Sequence, residues 1–181
     1  HAPRLQTMEV DAELWGNGGA TAVQELALAL ACATEYVREL SRRGVAPEVL
    51  APRLRFRFAI GPQFFTEVAK FRAFRPLWTR VISAFGAPAA LAAKAGMHAA
   101  TGTWNKTLLD PQVNFLRATT EALSAVLGGC DAVQVAPFDA VSGATDEFSR
   151  RIARNVHTLL AEEFGFAQVA DPSGGAWYIE S

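Results

Sequence analysis

Leu54-Arg55-Phe56-Arg57-Phe58-Ala59-Ile60 sets large apolar residues at every second position, with Arg55, Arg57 and Ala59 between them. A period of two turns successive side chains to opposite faces of an extended chain. The stretch reads as a β-strand with Phe56, Phe58 and Ile60 on one face and Arg57 and Ala59 on the other. Pro62 suits the first turn of a helix running to about Phe85, and Pro76 is expected to kink or divide it. Upstream, Val23, Leu26, Ala27, Leu30, Val37 and Leu40 recur at helical spacing between Ala20 and Arg43, with Gly44 as a stop. Thr7 to Leu14 holds a shorter alternating stretch, closed by Trp15-Gly16-Asn17-Gly18-Gly19.

The alternation of periods continues downstream. Gly96 to Thr103 reads as a strand, and Asp110-Pro111 opens a helix that ends at Gly128-Gly129. Ala132 to Phe138 is the next strand. Thr145 with Asp146 caps a helix carrying Arg150, Arg151 and Arg154, and a last strand is expected near Phe166 to Ala170. Strands alternating with helices of this length make an α/β fold of parallel (β/α) repeat units. Five strands and four helices form about half of a TIM barrel, which needs roughly 250 residues. An open doubly wound sheet has the same periods. The barrel reading requires sequential strand order with helices on one side only.

With 50% hydrophobic and 19% charged residues, the 181-residue chain has enough apolar material for one core, and residues 1–181 read as a single domain. A net charge of -1 offers no electrostatic reason for a nucleic-acid or anionic-membrane partner. Cys32 and Cys130 read as small buried hydrophobes, not as a disulfide framework or metal site. The apolar run from Leu26 to Ala33 is too short to span a bilayer, and the expected compartment is the cytoplasm. The start at His1 and the stop at Ser181 suggest a piece of a longer polypeptide. Bare strand edges in such a piece would favour self-association, most simply as a two-fold homodimer.

The inward positions are unusual for a barrel. Arg57 and Ala59, Gln134 and Ala136, and either His98 with Ala100 or Met97 with Ala99 replace the bulky branched residues that normally fill it. Such a lining leaves a polar bore able to admit something long and thin, unless Arg57 simply reaches solvent at one end.

Several runs, in order, carry a resemblance: Gly19-Ala20-Thr21-Ala22-Val23-Gln24-Glu25-Leu26-Ala27, Phe65-Thr66-Glu67-Val68-Ala69-Lys70-Phe71-Arg72-Ala73 with Leu77-Trp78, and Asp110-Pro111 with Asn114, Arg117 and Glu121-Ala122. Ala136-Pro137-Phe138-Asp139, Asp146 to Asn155 and Val169 to Glu180 extend it. Together they resemble the acyl-CoA-binding barrel of the methylmalonyl-CoA mutase family, the coenzyme-B12-dependent isomerases. The resemblance implies the C-terminal part of that barrel, with the pantetheine arm of acyl-CoA threaded along its axis. Catalytic chains of the family carry His-Cys-Gln-Thr-Ser-Gly-Trp-Ser-Leu-Thr where this chain has His98-Ala99-Ala100-Thr101-Gly102-Thr103-Trp104-Asn105-Lys106-Thr107. By this match His98 is the candidate catalytic residue, a donor to the thioester carbonyl. Arg57, Gln134 and His157 are the candidate substrate contacts, His157 standing where catalytic chains have a glutamine. No metal site is expected.

The Asn-Lys-Thr, Pro-Phe-Asp and Asp-Glu-Phe-Ser-Arg-Arg runs look like the small, non-catalytic subunit of heterodimeric mutases. The resemblance therefore implies a fragment of a methylmalonyl-CoA/succinyl-CoA isomerase of propionate metabolism that is inactive alone. The alternative is an assembly subunit that docks on a catalytic mutase chain. Adenosylcobalamin belongs to the parent enzyme. Its Asp-x-His-x-x-Gly signature does not surround His1, His98 or His157, so none is expected on this chain. A third reading, an unrelated half-barrel enzyme with His98 as general base, lacks an inward carboxylate or cysteine to serve as its partner. Glu67 and Lys70, at i and i+3, are expected to pair on a helix surface.

Overall fold

The alternation at Leu54–Ile60 builds strand β2 in a computed structural model that describes residues 5–181; His1, with the N-terminal edge it marks, lies outside the described residues. β2 pairs in parallel with β1 (Met8–Asp11) on one side and with β3 (Gly96–Thr101) on the other, and β3 pairs in parallel with β4 (Ala132–Gln134). The sheet order is β1-β2-β3-β4. Between the strands run helices α1 (Glu13–Asn17), α2 (Ala22–Arg42), α3 (Pro47–Leu50), α4 (Phe64–Ala84) and α5 (Val113–Leu127). After β4 come α6 (Glu147–Thr158) and the short α7 (Trp177–Glu180). Right-handed crossovers that always step in the same direction lay their helices on one side of a sheet, whereas a doubly wound sheet reverses its order. The described strands never reverse, so the arrangement is that of part of a β/α barrel. No helix among the described residues is long and apolar enough to cross a membrane.

The core sits between sheet and helices and is built on aromatic rings. Phe56, Phe58 and Ile60 are fully buried beneath α4, which contributes Phe71, Phe74 and Trp78. Phe74 meets Phe56 and Phe58 edge-on at centroid distances of 4.6 and 5.4 Å, and Trp78 meets Phe56 at 4.9 Å. Each such pair adds about 0.5–1.5 kcal/mol beyond the burial of its area. Met97 and Ala99 of β3 join this face, while Arg55 and Gln134 on the other face are exposed. Local chemistry starts the helices, at Asp146 as expected. Thr21 and Gln24 form a reciprocal capping box on α2, and Asp146 with Ser149 does the same on α6.

Four expectations are corrected. No strand forms at Phe166 to Ala170. The chain leaves α6 through a π turn at Leu159–Glu163 and a left-handed Gly165, and Phe166 then packs against the cluster of Ala122, Val156 and Leu160. The sheet therefore has four described strands, not five. β4 ends at Gln134 because the Ala136 N–H turns to the Thr101 hydroxyl at 2.9 Å and Pro137 follows. α4 runs through Pro76 undivided, with Trp78 and Ile82 buried beyond it. On α6, Arg150 donates to the carbonyl and hydroxyl of Thr145 and Arg151 covers the Phe148 ring, in keeping with a largely solvated basic face.

The fourth correction concerns Glu67 and Lys70, which lie inside the protein. β2 outruns β1, so the N–H and C=O of Ala59 have no strand on that side. The Glu25 carboxylate accepts the Ala59 N–H at 2.7 Å, and the Lys70 ammonium donates to the Ala59 carbonyl at 2.7 Å. Lys70 also donates to Glu25 at 2.7 Å and lies 2.6 Å from a Glu67 oxygen, off the direction of a hydrogen bond. The Lys70 and Glu25 side chains are 2% and 3% exposed. Burial pushes the Glu25 carboxyl up and Lys70 pulls it back, with burial the larger effect. Gly16 is required above this group, since a Cβ there would stand 2.6 Å from that of Ala59 and 2.7 Å from Glu25 Oε1. Removing one member of a buried charge group leaves the rest uncompensated, at a cost of about 3–5 kcal/mol. Lys70→Met is thus expected to lower the unfolding free energy by that amount in urea titration followed by circular dichroism. A loss below about 1 kcal/mol would show that solvent already reaches the carboxylates.

Candidate functional site

The face of the sheet turned away from the helices carries the candidate site. Strand register places Asp11, Arg57, His98 and Ala132 in one row across the four strands, with Glu9 and Arg55 below and Ala59, Ala100 and Gln134 above. Alternation explains the composition. Every second residue of β2 that does not enter the aromatic core must face this side, and these are Arg55, Arg57 and Ala59. On β3 the structure selects His98 and Ala100 for this face and buries Met97 and Ala99 against the helices.

Charge pairing occupies much of the space. Glu9 of β1 pairs with Arg55. The Arg57 Nε donates to Glu13 of α1, and its Nη2 donates to Gln134 Oε1 at 3.2 Å. Its guanidinium thus ties the β1 side of the sheet to β4 across the intervening β3. The hydrogen bond to Glu13 raises the Arg57 pKa further, fixing its charge. Asp11 is pushed the other way for a carboxylate. Burial raises its pKa, the Glu13 charge adds to this, and its Oδ1 is buried without a hydrogen-bond partner.

His98 is half-buried beside Arg57, and its imidazole makes no hydrogen bond among the described residues. Burial lowers its pKa, and the Arg57 and Arg55 charges lower it further. The imidazole is therefore held neutral, able to donate one N–H to an acceptor but lacking a carboxylate to orient it. The structure brings His98, Arg57 and Gln134 onto one face. His157 is elsewhere, exposed in the last turn of α6 in the helix layer.

At the C-terminal end of β3, the run Asn105-Lys106-Thr107 turns inward. The Lys106 ammonium bonds both Glu121 oxygens at 2.6 and 2.7 Å, and Asn105 Nδ2 donates to the same carboxylate at 2.8 Å. Lys106 and Glu121 are 6% and 1% exposed. Asn114 completes the anchor, accepting the Thr107 N–H and donating to the Thr107 and Phe138 carbonyls. Trp104, Leu108 and Leu109 are left outside, Leu109 almost wholly exposed. Sequence reasoning missed Glu13, Asp11 and the Lys106–Glu121 pair. A signal for the first two existed, because Glu9, Asp11 and Glu13 repeat at period two as Arg55 and Arg57 do.

The electrostatics are testable. The folded pKa of His98 lies below its ordinary 6.5, so the unfolded chain binds the proton more readily. The contribution of His98 to stability is complete above that ordinary value and falls as pH drops towards the folded pKa. Arg57→Gln removes one of the two guanidinium charges and is expected to raise the His98 pKa part of the way back, leaving the effect of burial. An imidazole NMR titration measures the shift. An unmoved pKa would mean that solvent screens Arg57 from His98.

The family model described as methylmalonyl-CoA mutase matches residues 1–181. The chain is 43% identical over 180 residues to the methylmalonyl-CoA mutase small subunit of Porphyromonas gingivalis, covering 99% of this chain and 29% of that relative. It is 47% identical over 178 residues to the small subunit of Streptomyces virginiae, covering 98% and 29%. To the methylmalonyl-CoA mutase of Escherichia coli K12 it is 40% identical over 181 residues, covering 99% and 25%. The chain thus spans less than a third of the length of these relatives. With a parallel β/α sheet behind the match and near-complete coverage of its own length, the chain belongs to the methylmalonyl-CoA mutase family.

Proposed function

We propose that this chain is barrel material of a mutase small subunit, part of a coenzyme-B12-dependent enzyme interconverting methylmalonyl-CoA and succinyl-CoA, and that it is catalytically silent alone. The observation that carries the reading is the Glu13–Arg57–Gln134 bridge. It lies across the face where the barrel of a catalytic chain would hold an acyl-CoA, and it leaves His98 neutral without an orienting partner. In this reading His98 is the residue that matches the thioester-polarising histidine, and Arg57 and Gln134 contact each other instead of substrate. His157, on the outer layer, contributes nothing to that face.

Adenosylcobalamin supplies the radical chemistry of the parent enzyme. The described residues do not fit it. The His98 imidazole lies beside Arg57 with the Arg55 charge near, and His157 is on another layer, so neither offers a cobalt ligand on the face that carries the site. The exposed Trp104, Leu108 and Leu109, held up by the buried Lys106–Glu121 pair, favour the companion reading that the chain docks on a catalytic mutase chain.

Incubation of the chain with methylmalonyl-CoA and adenosylcobalamin is expected to yield no succinyl-CoA and no change in cobalamin absorbance. Turnover that disappears in His98→Ala would overturn the silent-subunit reading. For the docking reading, Leu109→Asp should weaken co-purification with a catalytic mutase chain at least tenfold without altering the melting temperature. Unchanged capture would remove the loop from the interface.

A further inference from the structure

The buried charge group behind the end of β2 is out of balance, and a pocket opens onto it. Lys70 is its one ammonium, set against the carboxylates of Glu25 and Glu67. With both carboxylates ionised, the group carries one negative charge that nothing within it offsets. Glu25 is well served, one oxygen accepting the Ala59 N–H and the other the Lys70 ammonium. Glu67 is not. It is 6% exposed, its Oε2 is buried without a hydrogen-bond donor, and no described residue donates to its Oε1. It sits in the first turn of α4, whose N-terminal partial charge of about +0.5 offsets only part of the excess.

Glu25 and Glu67 line the inner end of a cavity of about 200 Å³. Its walls come from the segments that follow three successive strands: Gly16 and Ala20 after β1, Gly61 after β2 and Trp104 after β3. All of them are internal to the chain. Glycine at position 61 keeps the approach to the carboxylate open, since a Cβ there would stand 3.2 Å from Glu67 Oε1. Trp104, 55% exposed, borders the outer end.

We propose that this pocket binds a small organic ammonium ion, its N–H groups directed to Glu67 and its alkyl part against Ala20 and the Trp104 ring. Such a ligand brings the missing donor and the missing positive charge together. An aromatic face at the outer end favours a cation further, and the glycine and alanine walls suit an alkyl stem. An anion would meet the same excess charge that calls for a cation. A neutral alcohol would supply a donor and leave the charge uncompensated. A metal ion is a poorer match, because no three His, Cys, Asp or Glu side chains among the described residues converge on a metal site.

The probe is ethylammonium chloride, titrated into the full-length protein that carries this chain and followed by saturation-transfer NMR. Ethanol is the uncharged analogue of the same size, and acetate is the anion. A probe this small reaches about millimolar affinity at best. Saturable binding of ethylammonium is expected, with none of ethanol or acetate. Glu67→Gln keeps the shape of the side chain, removes its charge and should weaken binding by about tenfold or more. Ala20→Leu leaves every charge in place and fills the outer end of the cavity. It should block binding while the melting temperature holds, which keeps the test valid even where Glu67→Gln fails to fold. Absence of saturation by ethylammonium would mean that the pocket holds only water, and would overturn the proposal. Equal binding of ethanol, or binding that persists in Ala20→Leu, would overturn it as well.

Discussion

The Lys70 ammonium is the point on which the helix layer and the sheet agree. It lies where β2 extends beyond β1, and an unsupported strand end there would bury an N–H and a C=O without partners. Helix α2 provides Glu25 and α4 provides Lys70, and together they replace the missing strand with side chains. Swapping a buried ion group for apolar residues of similar volume is often neutral in stability. What the charges add is position: α2, α4 and the end of β2 can meet in only one arrangement. Gly16 admits the chain above them because a methyl group there would collide with Ala59.

The other buried pair, Lys106 with Glu121, applies the same principle to a loop. A long loop after β3 would be free to move if its polar groups faced water. Here Asn105, Lys106 and Asn114 spend their hydrogen bonds inward, and the loop is as fixed as the helix it grips. Arg57 acts similarly on the opposite face, where its planar fork reaches two partners at once. The parallel β/α sheet is thus combined with polar ties that fix both a loop at its end and the face turned from the helices.

Elements ruled by neighbours in sequence were legible in advance. The β2 alternation, the cap at Asp146 and the stop of α5 near Gly128 all depend on residues a few positions apart. Features decided across the fold were not. Glu67 and Lys70 look like a surface pair until Glu25, some forty residues upstream, is set against them. The apolar run at Phe166 to Ala170 fits a strand until a π turn delays the exit from α6 and Phe166 becomes a plug in the helix layer. In the site, parity put Arg57 and Gln134 on one face correctly, but their mutual bond and the role of Glu13 needed the register of three strands.

The linear order β1-β2-β3-β4 has a consequence for how the chain comes together. Each strand pairs only with its immediate successors in sequence, so loop closure is short at every step and the sheet can grow unit by unit from the N-terminal end. The longest of the ties laid over this sheet among the described residues are the bonds of Arg72 to Asp171 and Glu180, which span about a hundred residues. These ties require α4 to be seated and the tail to have been delivered. They are late latches, closing over a sheet already formed, and a nascent chain would hold its aromatic core before its last turn found Arg72.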